Sequence, residues 1–297
     1  ASGTWRNLNW FGEVGRSSSG GLGGVGGVLA SLSPTVDAAV VVRRYDRDFH
    51  TLYGAAFGER TRNQNEQGIY WGLKLRPLPK LEVNAFFDRY RFPWLSYLSD
   101  APVDGQEYLV RAQYRFTRQT RAYGQFRREG RGRNQPGNTT RLDYLSPQRR
   151  TNVLLHFETR PDDHLLFRTR LQGGTYVIEP TPTTRTTSVG YVLAQDFGWT
   201  ADRWRLTGRV ALFETDDYNT RQYLYEHDVL YAFSFPALAG RGVRTYLVGQ
   251  YRVARTTDLY FRYARTHYRD RDEIGSGVNR VEGPLRTEVK VQVRQKF

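Results

Sequence analysis

The feature that most constrains the fold is a strict two-residue alternation of apolar and charged side chains. In the segment 286–297, three valines at alternate positions share one side of an extended strand, while Lys290 and Arg294 lie on the other. Successive side chains of a strand point to opposite faces, so the segment has one apolar face and one charged face. It ends on an aromatic residue, Phe297. The pattern predicts an amphipathic strand.

The same alternation recurs along most of the sequence and predicts about fifteen strands. The helical period is not sustained in any segment. Two polar segments, 46–67 and 130–148, are predicted to be long loops. The predicted strands are Trp5–Ser18, Gly20–Leu32, Val36–Arg44, Ile69–Arg76, Leu81–Phe92, Tyr108–Phe116, Arg121–Arg127, Asn152–Glu158, Leu165–Gln172, Val189–Asp196, Trp204–Phe213, Tyr223–Phe235, Val243–Arg252, Leu259–His267 and the final segment.

This set of strands contains an inconsistency. Bacterial single-chain barrels have an even number of strands. In addition, two ways of counting the connections disagree on the end of the sheet at which Pro236–Gly242 lies. Counting forward from Pro77–Lys80 gives one end, and counting backward from the last strand gives the other. We therefore expect one strand boundary between Glu214 and Gly242 to be misplaced.

Alternation alone fits a soluble β-sandwich as well as a membrane barrel, because both have one apolar face. The large charged face, the unequal connections and the aromatic residues near strand ends favour the barrel, since interfacial girdles are aromatic. We predict an all-β, transmembrane, antiparallel up-and-down β-barrel of about 14–16 strands in the bacterial outer membrane. It forms one domain over residues 1–297 and contacts outer-membrane lipid. The tryptophans behind this argument are Trp10, Trp71, Trp94, Trp199 and Trp204.

Composition restricts the chemistry and the partners. The chain has no cysteine, which excludes disulfides and thiolate catalysis. Its 44 Lys and Arg residues against 30 Asp and Glu residues give a formal net charge of +14, which raises anionic solutes, lipids and nucleic acid as partners. The start of the sequence lacks the basic and apolar stretches of a signal peptide, so we expect a cleaved leader or a longer precursor.

Many of these cations fall on the charged face and are predicted to form a basic wall along the lumen. Such a wall would attract anions or a phosphate backbone. We favour the other interpretation, in which the cations pair with Glu82, Asp88, Glu158 and Glu288 and with a plug. The wall residues are Lys74, Arg76, Arg111, Arg115, Arg121, Arg127, Arg168, Arg170, Arg205, Arg209, Arg244, Arg252, Arg262, Lys290 and Arg294. Phe297 is interpreted as a C-terminal assembly signal.

Catalytic, cofactor and metal sites are not predicted, and we expect the protein not to be an enzyme. The five histidines are scattered, with no close pair suited to a metal. The glycines of Gly20–Gly27 do not form a phosphate loop, because no helix and no Lys-Ser/Thr pair follow. Asp216–Asp217 and Asp270–Glu273 have carboxylates that suit calcium, but a solvated loop is favoured at both places.

Several ordered motifs resemble one family. They are Gly12–Gly15, Arg44–Tyr45, Phe49–Gly54, Ala56–Glu59, Asn65–Tyr70, Phe92–Trp94, Asp100–Pro102, Tyr225–Glu226, Pro236–Gly242 and Ile274–Gly277. Together they resemble the C-terminal barrel of the Bacteroidetes-type outer-membrane proteins that contain helix-hairpin-helix domains. The resemblance implies a longer precursor with DNA-binding-type helical units and further strands before residue 1. It also implies that upstream residues or another chain complete the barrel.

Three functions follow as hypotheses. The favoured one is a porin-like structural or transport component of an envelope assembly, with a cation-lined lumen and protein partners in the envelope. The second is a competence-like DNA-uptake pore whose cations contact phosphate. An outer-membrane hydrolase is kept for contrast only, because no serine, histidine and acid come together in the sequence argument.

Overall fold

The computed structural model describes residues 1–181, 183–275 and 277–296, and these consist almost entirely of strands and their connections. Two short 3₁₀ helices lie at Tyr218–Thr220 and Gly277–Asn279. The strands are β1 (Ser2–Trp5), β2 (Leu8–Arg16), β3 (Leu22–Ser33), β4 (Val36–Tyr45), β5 (Glu66–Leu78), β6 (Leu81–Phe92), β7 (Val103–Arg115), β8 (Thr120–Asn134), β9 (Leu145–Thr159), β10 (Leu165–Thr181), β11 (Thr184–Thr200), β12 (Trp204–Thr215), β13 (Gln222–Tyr223), β14 (Ala237–Leu238), β15 (Arg241–Ala254), β16 (Thr257–Tyr268), β17 (Glu273–Ile274), β18 (Val281–Glu282) and β19 (Leu285–Gln295).

Within the described residues, fifteen of these strands form one sheet in which neighbours in sequence are neighbours in space. The order runs from β1 to β12 and continues through β15, β16 and β19. The remaining four strands have two residues each and form two separate small pairs inside the connections. Pairing is antiparallel wherever the register is resolved, as in Asp196 opposite Arg209 and Arg262 opposite Lys290. The strands therefore form the predicted up-and-down meander.

Two predicted strands are wrong, and one predicted loop is too long. The segment Tyr223–Phe235 is not a strand of the large sheet, because it lies within the 216–240 connection. There Gln222–Tyr223 pairs with Ala237–Leu238, and Glu226 forms an isolated bridge with Ser234. This correction lies in the interval where the sequence already indicated an error. At the start, Trp5–Ser18 is two strands, β1 and β2, joined by a tight hairpin with Arg6 at φ 53°. The predicted loop 130–148 is shorter, since β8 and β9 extend into it.

Packing divides the chain into two compact units. The first unit contains Ala1–Gln113, Gln125–Thr151 and Tyr176–Thr187. The second contains Tyr114–Gly124, Asn152–Thr175 and Ser188–Phe297. In each unit, short connections at one end of the strands alternate with mostly longer ones at the other end, as in outer-membrane barrels with short periplasmic turns and long external loops. The link between β10, which ends at Thr181, and β11, which begins at Thr184, is a short exception. The long connections include 46–65 in the first unit and 216–240 in the second.

The two faces of the sheet differ sharply in chemistry. In β11, Val192 and Ala194 are buried on one face, while Tyr191 and Leu193 are exposed on the other. In β19, the exposed fractions of Val289, Val291 and Val293 are 68%, 74% and 62%. The exposed face is apolar and the covered face carries the charges, so we call them the outer and inner faces. This is the arrangement of a barrel wall in lipid.

Within the described ranges, no helix has the length and apolar character needed to cross a membrane. The residue interpreted as an assembly signal, Phe297, lies outside the described residues.

Candidate functional site

The 216–240 connection folds back onto the inner face of the second unit. Side chains at alternate positions, Gln222, Leu224 and Glu226, are buried. Leu224 and Leu238 pack with Val192 and with neighbouring apolar side chains of β11 and β12 in one buried cluster. The alternation that resembles a sheet strand in the sequence therefore serves a different purpose, because it gives the connection one face that contacts the wall.

A buried ionic cluster fixes this connection to the wall. Glu226 is 1% exposed, and both of its carboxylate oxygens accept hydrogen bonds from Arg244 of β15, at 3.0 and 2.9 Å. Arg262 of β16, which is 0% exposed, donates to the same carboxylate at 2.5 Å. Arg262 also donates to the Ser234 hydroxyl at 3.1 Å and to the carbonyl oxygen of His227 at 3.4 Å. Two wall arginines therefore converge on one acid of the connection.

A second layer of charges balances the cluster. Asp228 of the connection accepts a hydrogen bond from Lys290 of β19 at 2.6 Å and lies 3.7 Å from Arg262. Glu288 of β19 lies 3.4 Å from Arg244 and 3.3 Å from Arg262. Three cations thus face three carboxylates. Buried charges are tolerated only when they are paired and hydrogen-bonded in this way.

Another wall arginine also holds the connection. Arg209 of β12 donates to both oxygens of Asp196 on β11, at 2.5 and 2.8 Å. Its remaining terminal nitrogen donates to the backbone carbonyl of Tyr225 at 2.7 Å. Asp196 of the wall therefore neutralises Arg209, and the third nitrogen of the Arg209 guanidinium group binds the backbone of the connection.

The other side of the connection is aromatic. Tyr223 and Phe235 stack with ring centroids 5.3 Å apart, and Phe233 lies 5.8 Å from Tyr225 and 6.1 Å from Phe235. Phe233 is 75% exposed, and Tyr225 and Phe235 are about half exposed. The connection therefore covers a charged wall and presents a group of aromatic rings in its place.

The first unit has an ionic cluster of a different construction. Arg43 of β4 is buried and donates to Glu66 of β5 at 2.6 Å and to both oxygens of Asp88 on β6, at 2.9 and 3.0 Å. The 46–65 connection joins this cluster through the backbone N–H of Glu59, which donates to Glu66 at 2.9 and 3.1 Å. Burial, together with the nearby carboxylates of Glu107, Asp88 and Glu66, raises the pKa of Glu59 to about 8.

The inner face of the first unit also contains an open cavity of about 560 Å³. Small residues line part of it, including Ala39 and Gly72, together with the rings of Tyr70 and Phe86. Lys74 is the cation on its wall.

The residues of the predicted basic wall have different environments. Those that are buried and paired are Arg209, Arg244 and Arg262. Those that are partly exposed and paired with carboxylates are Lys74, Arg76, Arg121, Arg127, Arg168, Lys290 and Arg294. Arg252 is exposed and lies 3.9 Å from Asp258. Arg111 and Arg170 are half-buried, and Arg115 and Arg205 are exposed.

The acids named as partners from the sequence do form ion pairs. Glu82 pairs with Lys74 at 3.0 Å, and Glu158 pairs with Arg168 at 2.7 Å. Glu226 and Asp228 were not predicted as site residues, because they lie in a segment that was predicted to be a sheet strand. Arg43 was not predicted either. The available signal was the alternation at 222–226, which puts an acid on the same side as two apolar residues.

The suggested calcium loops have other roles among the described residues. Asp217 caps the 3₁₀ helix Tyr218–Thr220 by accepting hydrogen bonds from the backbone N–H groups of Asn219 and Thr220. Asp270 pairs with Arg271 at 3.0 Å. No group of three or more metal-binding side chains occurs within the described ranges.

Comparison with known proteins supports the fold but not a family. No protein-family model matches the chain, and no curated protein matches it. Solved structures do match. The FrpB iron transporter of Neisseria meningitidis has a TM-score of 0.56 at 9% identity, covering 91% of this chain and 47% of that protein. The fold is that of an outer-membrane β-barrel.

Two further structures give the same result. The ferric yersiniabactin uptake receptor FyuA of Yersinia pestis has a TM-score of 0.53 at 14% identity, covering 98% of this chain and 52% of that one. The ferric enterobactin receptor PfeA of Pseudomonas aeruginosa, as an R480A_Q482A mutant, has a TM-score of 0.51 at 12% identity, covering 96% and 58%. The chain spans about half the length of these proteins. The predicted barrel fold is confirmed, and these neighbours support an outer-membrane localisation.

Proposed function

We propose that this outer-membrane β-barrel is a structural or transport component of an envelope assembly, in which inward-folded connections regulate the lumen and no chemical reaction takes place. The observation that carries the proposal is the docking of the 216–240 connection. Its acids Glu226 and Asp228 neutralise cations of three wall strands. A wall held in this way suits a constricted passage or a rigid scaffold better than an open anion channel.

Single-channel conductance in planar bilayers tests the proposal. We expect low conductance for the wild-type protein and higher conductance for the double variant Glu226→Ala/Asp228→Ala, because the connection loses its charged attachment while the wall arginines remain. Glu214→Ala is the matched control. Glu214 pairs with Arg241, and that pair is largely exposed. A large wild-type conductance that the double variant leaves unchanged would contradict the proposal.

The family resemblance enters the proposal through two of its motifs. Asn65–Tyr70 contributes Glu66 to the first cluster, and Tyr225–Glu226 contributes Glu226 to the second. Motif residues that anchor connections to the wall are what a shared barrel would retain. We therefore propose the helix-hairpin-helix-containing outer-membrane family as the parent family. Envelope proteins as partners are proposed on the same basis.

DNA uptake is the second candidate, and the exposed aromatic face of the 216–240 connection favours it. Proteins that bind single strands combine stacking rings with cations that track the phosphates. A fluorescent oligonucleotide should bind with an affinity that falls steeply between about 20 and about 200 mM salt. The variant Tyr225→Ala/Phe233→Ala should lose this binding, whereas Tyr53→Ala, an exposed ring in another connection, should keep it. No binding at the lower salt concentration would eliminate this candidate.

A further inference from the structure

A groove with a cavity volume of about 620 Å³ lies on the first unit, near the ends of strands β6 to β10. Charged residues from five strands line it: Arg89 of β6, Asp104 of β7, Arg131 of β8, Arg149 of β9 and Glu179 of β10. Leu145 and Pro147 add an apolar side. None of these residues belongs to the ionic clusters of the inner face.

The groove opens on the outer face of the sheet. Arg89 is exposed between two buried inner-face residues, Asp88 and Tyr90. Asp104 is exposed next to the buried Val103, and Arg149 follows the buried Gln148. Because side chains alternate along a strand, the side chains of Arg89, Asp104 and Arg149 point away from the inner face.

The position of the groove along the strand direction shows which layer of the membrane it faces. On the same outer face, the next layer consists of aromatic rings. Trp71 stacks with Phe87 at 5.6 Å, and Tyr108 stacks with Phe126 at 5.8 Å. Interfacial aromatic residues mark the border of the hydrocarbon layer. The groove lies beyond them toward the long connections 93–102 and 135–144, so it faces the headgroup region of the external leaflet.

Two glycines shape the floor of the groove. A Cβ atom at Gly130 would lie 3.3 Å from Cγ of Arg149, which is tighter than an ordinary contact, and one at Gly132 would lie 3.6 Å from Leu145. Glu179 accepts a hydrogen bond from Arg149 and orients its guanidinium group. The cavity is therefore built from small residues and a positioned cation.

We propose that this groove binds the phosphorylated sugar headgroup of an outer-leaflet glycolipid. Arg89 and Arg149 are the phosphate contacts, since guanidinium groups pair with phosphate through charge-assisted hydrogen bonds. Asp104 and Glu179 accept hydrogen bonds from sugar hydroxyls, which explains why carboxylates lie beside the cations. The acyl chains continue down the outer face over Phe87 and Tyr108. The proposal rests on the outer-membrane fold and not on the transport function.

Lipid binding to the purified full chain in detergent tests the proposal. Diphosphorylated lipid A is the probe, and retention is followed by native mass spectrometry and by the shift in melting temperature. We expect the wild-type protein to retain the lipid and Arg89→Gln/Arg149→Gln to bind it about a hundredfold more weakly, because each charge-assisted hydrogen bond contributes at least about tenfold. Arg44→Gln/Arg265→Gln removes two exposed arginines that do not line the groove and should bind like wild type.

Three results would overturn the proposal. Equal binding by the groove variant and the wild type would show that the lipid lies elsewhere. Equal affinity for lipid A lacking its phosphates would remove the role of the arginines. Full competition by inorganic phosphate at the same concentration as the lipid would reduce the groove to an anion site. Unchanged far-ultraviolet circular dichroism of the groove variant would exclude misfolding as the cause of lost binding.

Discussion

Both buried ionic clusters pair cations with carboxylates next to a long connection, but different segments of the chain supply the charges. In the first unit, one wall cation, Arg43, lies between two wall acids, Glu66 and Asp88, so the strands supply both signs of charge. In the second unit, the strands supply the cations, and the connection supplies the acids Glu226 and Asp228. The first wall is complete before its connection docks, whereas the second wall needs its connection for charge balance.

The largest predicted effect follows from removing Glu226. Glu226→Ala leaves Arg244 and Arg262 buried without their main partner, and arginine does not deprotonate in proteins. We expect a loss of about 3–5 kcal/mol in the free energy of unfolding, the usual cost of breaking a buried pair. Urea unfolding in lipid vesicles measures it. If Glu214→Ala, which affects an exposed pair, costs as much, the cluster has no special role.

A smaller loss is expected in the first unit. Arg43→Met leaves Glu66 and Asp88 facing each other, but carboxylates can take up a proton and become neutral. The loss of unfolding free energy should be about 2–3 kcal/mol at neutral pH and should shrink as the pH falls. Arg44→Met is the control, because Arg44 is the next residue on the outer face, and its side chain is 79% exposed. A loss larger than that of Glu226→Ala would reverse the comparison between the clusters.

The pH dependence of the first unit should reflect Glu59. Its pKa rises from an ordinary 4.5 to about 8, so the folded protein holds this proton more tightly than the unfolded chain does. Glu59 therefore costs nothing below about pH 4.5, and its destabilisation grows from there to about pH 8 and then levels off. Because the side chain is partly exposed, we expect about 1–2 kcal/mol in total.

Glu59→Gln should remove this slope between about pH 4.5 and 8, and unfolding free energies measured across that range test it. Asp48→Asn, in the same connection, should leave the slope intact. A wild-type stability that does not fall with pH in this window, or that falls to the same extent in Glu59→Gln, would contradict the assignment.

The smallest effect is expected at an exposed pair of the inner face. Lys74 and Glu82 lie 3.0 Å apart, and their side chains are 37% and 36% exposed. Lys74→Gln should change the unfolding free energy by at most about 0.5 kcal/mol, because solvent screens exposed pairs. A loss of unfolding free energy above about 1–2 kcal/mol would mean that burial does not determine how strongly the ion pairs of this wall stabilise the protein.

The sequence predicted the strands of the wall better than the connections that cover the wall. Alternation locates β5, β6, β11, β12 and β15 because one face of each strand meets lipid, which imposes an apolar residue at every second position. The same period at 222–226 arises because the connection contacts the wall on one side. A period of two cannot distinguish a strand that is paired within the sheet from an extended segment that packs on the face of the sheet. The missed hairpin at Arg6 offset this error, so the expected and observed strand numbers agree by compensation.

The ionic clusters were less predictable for a related reason. Arg43 joins residues that lie 23 and 45 positions away, and Glu226 meets Arg262 across 36 positions. Charge and spacing show which residues are on the charged face. Which acid reaches which cation depends on the path of the connections, and the sequence pattern does not specify that path.

The docking of the 216–240 connection also sets a requirement for folding. Its acids bind cations on β15, β16 and β19, which all follow it in the chain. The connection therefore reaches its final contacts only when these C-terminal strands are in place. The last strands of the meander complete the outer surface, and they also form the surface to which the 216–240 connection binds.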